Sequence, residues 1–505
     1  ALPRLHACAA DPLVLELIEG LTGALAEGQL DLELPSAAHG LALAHSPLAA
    51  DPDGPLVLEG QRVLWRRWQR QRDRVLDALV SRAGQAATTG AGPSRAADGD
   101  LDADQARAVA AVLRHRLVLL EGGPGTGKTS TVAHMIRALR THRPTCRIHL
   151  AAPTGKAAAR LRAALAGSGG SSSGSGSGSD AAAARLPCTT LHRLLESRGE
   201  RFGRHRHHPL ALDVLVVDEL SMVDLALMEA LLEALPSDCS LVLVGDAAQL
   251  PPVAPGAVLQ ELQAPARRQA LGAAAITLRT TYRNNGAIAA VAAALRAEEQ
   301  PLQPLLARLP ADANLRWLQC DPSQLPAELV VCLRQQQEGL AKGSRQLGAA
   351  EGDGPALALL ARLEQLLVLS PVRRGRWGVE AVHRLLLGDG LERGPLHWPL
   401  GTPVLCTRNR LELGLANGDV GLVVERDGER RLLFAGEGPG CASWIHPAQL
   451  PEAEPAFALT VHKAQGSEAK VVWLLLPGSD RPQQRLLYTG LTRARQQAVL
   501  ITPPL

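Results

Sequence analysis

The sequence predicts an α/β protein with two tandem parallel-sheet units, a small β insert in the second and a small accessory domain at the N-terminus. Three observations carry this. From about residue 101, short apolar runs alternate with helical stretches, and each run ends in a polar or glycine-rich loop. That is the rhythm of a parallel sheet covered on both faces, with ligand loops at the carboxyl ends of its strands. One such loop, GGPGTGKT (Gly122–Thr129), follows the apolar run Leu117–Leu120 and opens a helix-like stretch, the strand–loop–helix setting of a P-loop. Finally, Gly401–Leu450 breaks the rhythm with short strands between turns.

A chain of 505 residues is too long for one core. Hydrophobic content of 46% with 20% charge reads as soluble and globular. The net charge is only +3, so any nucleic-acid contact must come from local patches. No apolar run approaches the roughly 18 residues that span a bilayer, and Ala1–Ala10 lacks the apolar core of a signal peptide. The chain starts at Ala1, which implies a removed initiator Met or a short missing piece. Eight scattered cysteines without a C-x2-C pair argue against zinc and for reduced thiols. Of 53 basic side chains only Lys128, Lys156, Lys342, Lys463 and Lys470 are lysine, and three of these fall in the motifs below. Arginine and lysine are not interchangeable at phosphate sites, so that placement is informative.

Residues 1–95 read as an N-terminal accessory or docking domain: a helix over Leu13–Leu25, a strand–turn–strand over Leu56–Trp65, a basic helix over Arg66–Leu79, then a linker over Ala83–Asp100. Residues 96–270 form the first unit, with strands Leu117–Leu120, Ile148–Ala152, Val214–Val217 and Leu241–Val244. Residues 271–505 form the second, with strands Ile276–Leu278, Leu366–Leu369, Ala458–Val461, Val471–Leu475 and Ala498–Thr502. The glycine–serine tract Gly167–Ser179 reads as a solvated loop tip. Residues 401–450, with strands Pro403–Cys406, Gly418–Val424 and Arg431–Phe434, read as a small β-barrel inserted in the second unit.

The P-loop residues Gly122, Gly123, Pro124, Gly125, Thr126, Gly127, Lys128, Thr129 and Ser130 suit a nucleoside triphosphate. Glycines let successive N–H groups curl around phosphate oxygens, and the helix N-terminus adds favourable partial charge. Lys128 would reach the β- and γ-phosphates and the Thr129 hydroxyl would ligate Mg²⁺. A buried strand ends in Asp218 and Glu219, the first suited to the same Mg²⁺ and the second to orienting or deprotonating the attacking water. Gln249 ends another strand in a proline-braced loop, where an uncharged amide suits a γ-phosphate sensor. Thr154, Gly155 and Lys156 follow a strand outside the nucleotide loop and suit an external phosphate backbone, with Thr190 and His192 in the same role. His192 taken alone is more often a structural histidine. From the second unit, Arg283 and Arg493 are the candidates to bring charge to the γ-phosphate when the cleft closes. Tyr282 would stack on the base. Thr460, His462, Lys463 and Glu468 crowd one loop suited to touching both nucleic acid and nucleotide. Trp377 is a candidate stacking ring, equally readable as core.

Taken in order, these strings resemble a superfamily 1 helicase, and within it the RecD family, the α subunit of exodeoxyribonuclease V. The carriers are GGPGTGKT, AAPTGKAAARL (Ala151–Leu161), TLHRLL (Thr190–Leu195), LDVLVVDELSMVDL (Leu212–Leu225), GDAAQL (Gly245–Leu250), TYR (Thr281–Arg283), NGDVG (Asn417–Gly421), LTVHKAQGSE (Leu459–Glu468) and YTGLTRAR (Tyr488–Arg495). The resemblance implies two tandem RecA-like P-loop domains and an SH3-like barrel at 401–450. It also implies a 5′→3′ single-strand DNA motor using ATP and Mg²⁺ in the bacterial cytoplasm. Gln105 matches the family's adenine-reading glutamine. The implied partners are 5′-ended single-stranded DNA and two subunits, one RecB-like helicase-nuclease and one RecC-like scaffold, acting in double-strand-break repair and recombination. The glycine–serine tract departs from the family pattern. The chain ends within about a dozen residues of YTGLTRAR, so any nuclease activity is expected from a partner.

Two other readings stay open. One is a stand-alone superfamily 1 DNA helicase. The other is a P-loop nucleotide-binding switch without motor action, against which Asp218, Glu219 and both arginines count.

Overall fold

The structure is a computed structural model. It describes residues 11–87, 101–167, 186–199, 201–282, 286–297, 304, 306–308, 314–321, 323–347, 352–436, 440–478 and 484–504. Most of the expected linker and nearly all of the glycine–serine tract lie outside the described residues, as does Arg283.

Two parallel sheets organise the chain. The first has six strands in the spatial order Ala275–Leu278, Leu117–Gly122, Ser240–Gly245, Val214–Val217, Ile148–Ala152, Cys188–Thr190. Every neighbouring pair is parallel. Three of the four inner strands, Leu117–Gly122, Ser240–Gly245 and Val214–Val217, are buried at every position. This is why they read as unbroken apolar runs rather than as alternation. The second sheet has five strands in the order Leu315–Gln319, Ala494–Thr502, Ala469–Leu475, Leu366–Ser370, Ala458–Thr460, again all parallel.

The strand expected to open the second sheet belongs to the first. Ala275–Leu278 pairs with the P-loop strand, Ala275 opposite Leu119 and Leu278 opposite Gly122. A four-residue apolar run carries no mark of which sheet it joins. Here Ile276 and Leu278 are buried against the core around Leu120 and Ile136, which settles its place. The fifth strand of the second sheet is instead Leu315–Gln319, on whose partly exposed side chains no apolar run formed.

Residues 401–455 carry a five-stranded antiparallel sheet in the order Ala442–Ile445, Glu429–Ala435, Val420–Arg426, Pro403–Leu405, Glu454–Pro455. It sits in the chain between the second sheet's Leu366–Ser370 and Ala458–Thr460 strands. Gly401 (φ 82°), Gly418 (φ 92°) and Gly428 (φ 76°) make its turns in the left-handed region that glycine tolerates.

At the N-terminus a helix (Pro12–Ala26), capped by Asp11, covers a three-stranded antiparallel sheet. The basic helix Arg66–Gly84 then docks this unit on the first sheet's layer. Val75, Leu76, Leu79 and Ala83 bury into the same core as Leu227 and Leu231. Each of the valine and leucine side chains contributes about 1.5–3 kcal/mol by burial. Two arginines of that helix are spent on the interface. Arg74 pairs with Glu229 at 2.7 Å, and Arg82 donates to the carbonyls of Cys239 at 2.6 Å and Pro236 at 3.1 Å. Among the described residues no helix is long and apolar enough to cross a membrane.

Candidate functional site

The P-loop lies at the carboxyl end of Leu117–Gly122 and runs into the helix Lys128–His142. Gly125 (φ 74°) and Gly127 (φ 81°) turn it through conformations that an L side chain resists. At Gly127 a Cβ would also meet Gln105 Nε2 at 2.8 Å. The buried Thr126 hydroxyl donates to Gly123 O at 2.9 Å, fixing the loop from inside. Lys128 Nζ donates to the carbonyls of Gly122 (2.7 Å) and Gly123 (2.9 Å), so its ammonium lies across the mouth of the loop. N–H groups at the start of a 15-residue helix together with one ammonium make an anion site.

Asp218 and Glu219 follow the strand Val214–Val217 on the neighbouring-but-one position of the sheet. Burial first, then the charge of Glu219, pushes the Asp218 carboxyl up to about 6; the Glu219 N–H, Lys128 and Arg160 act the other way. Glu219 holds φ 54°, a left-handed conformation rare for a residue with a Cβ. Such strain collects at functional sites. The donors available to a divalent cation here are a carboxylate and the Thr129 hydroxyl, hard oxygens of the kind Mg²⁺ takes together with phosphate oxygens. Among the described residues no group of three or more His, Cys, Asp or Glu could hold a metal alone.

At the loop's other end, Asp102 and Gln105 form a reciprocal capping box: Gln105 N–H donates to Asp102 Oδ1 at 2.8 Å and Asp102 N–H to Gln105 Oε1 at 3.2 Å. The cap fixes the Gln105 amide so that Nε2 faces Gly127. Tyr282 closes the same corner. Its N–H donates to Gly125 O at 2.8 Å and its hydroxyl to Asp102 Oδ2 at 2.6 Å, while the ring stays 54% exposed. An exposed ring beside a fixed amide next to the P-loop fits a purine base.

The second sheet supplies the far wall. A cavity of about 420 Å³ is lined by the P-loop, by Asp218, Glu219 and Gln249, and by Glu468 and Arg493 from across the cleft. Arg493 is buried, with Nε donating to Thr489 O at 3.1 Å. Glu468 faces the same cavity but is ion-paired with Arg160 and lies 3.7 Å from Arg495. The sequence assigned no role to two groups here. The Tyr488 hydroxyl donates to Asp246 Oδ2 at 2.6 Å. Arg296, from the helix Ala287–Ala297, reaches within 3.0 Å of where a Gly123 Cβ would lie. The rarity of tyrosine in the chain was the available signal for Tyr488; nothing local marked Arg296.

The residues expected to meet a nucleic-acid backbone divide into two groups. A groove of about 360 Å³ lies between the helix Gly155–Gly167, the end of Cys188–Thr190 and the inserted sheet; Gly155, Lys156 and Thr190 line it, and Asp419 faces them. Lys156 Nζ donates to Ser467 Oγ at 3.1 Å. Thr154 Oγ1 accepts from Ala157 N–H and Thr190 Oγ1 from Arg193 N–H, both as turn caps. His192 is half-buried, and burial lowers its pKa. Thr460, His462 and Lys463 do not line that groove. Thr460 Oγ1 accepts from Lys463 N–H at 3.3 Å, Lys463 Nζ pairs with Glu454 at 3.1 Å, and burial lowers the His462 pKa. Trp377 is not a stacking ring: it is fully buried, with Nε1 donating to Gln324 O at 2.9 Å, because the core beneath the inserted sheet needs its volume.

Residues 105–255 match the AAA domain family model, and residues 455–501 match that of the UvrD-like helicase C-terminal domain. The chain is 37% identical over 485 residues to the RecBCD enzyme subunit RecD of Mycolicibacterium smegmatis, covering 91% of this chain and 81% of that one. It is 34% identical to the RecD subunit of Mycobacterium tuberculosis, covering 96% and 84%. It is 32% identical over 421 residues to the ATP-dependent RecD2 DNA helicase of Deinococcus radiodurans, covering 80% of this chain and 49% of that one. Among solved structures, a Bacteroides Pif1 helicase in complex with ADP-AlF3 and single-stranded DNA aligns at 16% identity and a TM-score of 0.41, covering 77% of this chain and 91% of that one.

Proposed function

The chain belongs to the RecD family of superfamily 1 helicases, and from that membership we propose that it is the RecD-type subunit of a helicase–nuclease complex. It is an ATP-dependent DNA helicase of double-strand-break repair and recombination. It runs 5′→3′ on single-stranded DNA in the cytoplasm beside a RecB-like helicase-nuclease and a RecC-like scaffold. The observation that carries the motor reading is the cavity itself, with a P-loop on one parallel sheet and Arg493 on the other. A binding switch needs only the first wall; a motor needs both.

In this reading Gln105 and Tyr282 hold the adenine, and the P-loop amides with Lys128 and Ser130 hold the phosphates. Asp218 and Thr129 would hold Mg²⁺, which neutralises charge on the phosphate oxygens. Glu219 orients the attacking water and takes its proton. Gln249 senses the γ-phosphate, and Arg493, with Arg283, stabilises the charge that builds as the bond to the leaving diphosphate breaks. Glu468 holds Arg160 at the edge of the nucleotide. Thr154, Gly155, Lys156, Thr190 and His192 on one unit, and Thr460, His462 and Lys463 on the other, grip the DNA backbone. Phosphate contacts carry little base information, so sequence-independent tracking is expected. Residues 1–95 dock the partner subunits.

The test is ATP hydrolysis with and without single-stranded DNA, followed by unwinding of duplexes tailed at the 5′ or the 3′ end. DNA-stimulated hydrolysis with unwinding of the 5′-tailed substrate is expected. Hydrolysis indifferent to DNA would return the chain to the switch reading. Co-purification of two large partners from the native cell separates the subunit from a stand-alone helicase.

A further inference from the structure

The segment Asp246–Leu250 leaves the strand Ser240–Gly245 of the first sheet and carries Gln249 into the nucleotide cavity. Both of its ends are held by consecutive residues of one helix, Gln484–Leu491, which belongs to the second sheet's layer. At one end the Tyr488 hydroxyl donates to Asp246 Oδ2 at 2.6 Å. At the other, Leu250 N–H donates to Thr489 Oγ1 at 2.9 Å, and the Leu250 carbonyl accepts from Gln465 Nε2 at 2.9 Å. All of these groups are buried. The same turn holds Arg493 through Thr489 O.

We propose that Tyr488 and Thr489 form a clamp that positions Gln249, so that the γ-phosphate sensor of one unit is set only while the other unit is closed on it. The proposal rests on the motor reading above and deepens it. Gln249 has little else to orient it. Its Oε1 is buried without a partner among the described residues, and its Nε2 lies 3.5 Å from Asp246 Oδ2, the atom that Tyr488 holds. Asp246 Oδ1 is engaged by Ala248 N–H at 3.2 Å, so the carboxylate is pinned on both oxygens. Removing the phenol leaves a buried carboxylate oxygen short of a donor. The carboxylate must then turn toward the Gln249 amide or away from it, and either motion moves the sensor. Burial and the adjacent Asp246 keep the Tyr488 phenol protonated, and hence a donor, at every working pH. Tyr488 is thus a positioning residue, acting through Asp246.

The test is Tyr488→Phe, alone and with Gln249→Ala, assayed for single-stranded-DNA-stimulated ATP hydrolysis and for thermal unfolding. In Tyr488→Phe, kcat should fall about tenfold to a hundredfold, the range for losing a hydrogen bond to a charged acceptor, with KM for ATP unchanged. The double variant should be no slower than Gln249→Ala, because both changes remove the same positioned amide. A merely structural role for the phenol predicts losses that multiply; that result, or a wild-type kcat in Tyr488→Phe, overturns the clamp. Should Tyr488→Phe fold poorly, the near-isosteric Thr489→Val carries the same test at the other end of the segment, with the same two outcomes. If the wild-type protein shows no DNA-stimulated hydrolysis, the motor reading falls and the clamp with it; an active wild type beside multiplying losses sinks the clamp alone.

Discussion

Lys156, on the first unit, donates through Nζ to Ser467 Oγ of the second unit at 3.1 Å, with Asp419 of the inserted sheet adding its negative charge beside the ammonium. Three parts of the chain therefore meet at one cation. Lys156 is half-buried, and burial lowers its pKa to about 8.

If Lys156 grips the DNA backbone as proposed, binding should be sensitive to mildly alkaline pH. The folded pKa is depressed below the ordinary 10.5, so the cost of holding the charge is fully present below about 8 and is relieved as pH rises from there toward 10.5. Stability should therefore rise slightly over that window, while the cation available to a phosphate is lost. Single-strand affinity measured by anisotropy should weaken between pH 7 and pH 9, and Lys156→Arg, which keeps its charge, should flatten the change. An identical pH dependence in both proteins would show that Lys156 does not grip the backbone.

Gly127→Ala should weaken nucleotide binding. The added methyl would sit at φ 81° and 2.8 Å from Gln105 Nε2, so it strains the backbone and displaces the Gln105 amide together. The left-handed conformation alone costs roughly 1–2 kcal/mol for an alanine. A fluorescent ATP analogue should bind at least tenfold more weakly, and unchanged affinity would contradict the assignment of this corner to the nucleotide.

The strand–loop–helix order around Gly122–Thr129 was legible because each signal is local: an apolar run, glycines at fixed spacing, a helix start. The same holds for Asp218 and Glu219 after their strand. What the sequence withheld is pairing across the cleft. Tyr488 and Asp246 are 242 residues apart, and Lys156 and Ser467 are 311 apart; no periodicity connects them. The misplaced run Ile276–Leu278 fails for a related reason, since a short edge strand of four residues fits either sheet until its partner is known. Trp377 shows the limit of composition: a tryptophan beside arginines suits a base or a core equally, and its indole N–H found a backbone carbonyl inside.

Asp218→Asn should separate stability from turnover. Asp218 is half-buried beside Glu219, and desolvation together with that neighbouring charge raises its carboxyl to about 6 from an ordinary 3.8. Because the folded pKa is raised, the penalty is absent below about 3.8 and complete above about 6, so at neutral pH the carboxylate destabilises the fold. Without Mg²⁺ the neutral amide should raise stability, by about 1–3 kcal/mol, read as a higher Tm. Adding Mg²⁺ with a non-hydrolysable ATP analogue should stabilise the wild type more than the variant, and ATP turnover should vanish in the variant. Equal stabilisation of both proteins would take Asp218 out of the metal site.

Arg493→Ala and Lys128→Ala should fail in different ways. Lys128 lies across the loop that takes the phosphates, so its loss should abolish turnover and weaken ATP binding. Arg493 approaches from the second unit and is held by Thr489 O and by Ser467 O, 3.5 Å from its Nη1, so ATP should still bind when it is removed. Loss of an arginine that acts on the transition state costs about 10³–10⁵ in rate at related phosphoryl-transfer sites. The two variants are told apart by binding a fluorescent ATP analogue and by single-turnover hydrolysis with saturating DNA. Retained binding with a collapsed rate is expected for Arg493→Ala alone. A near-normal rate there would shift the role to Arg283 or to Arg296, whose guanidinium already reaches the shoulder of the loop at Gly123.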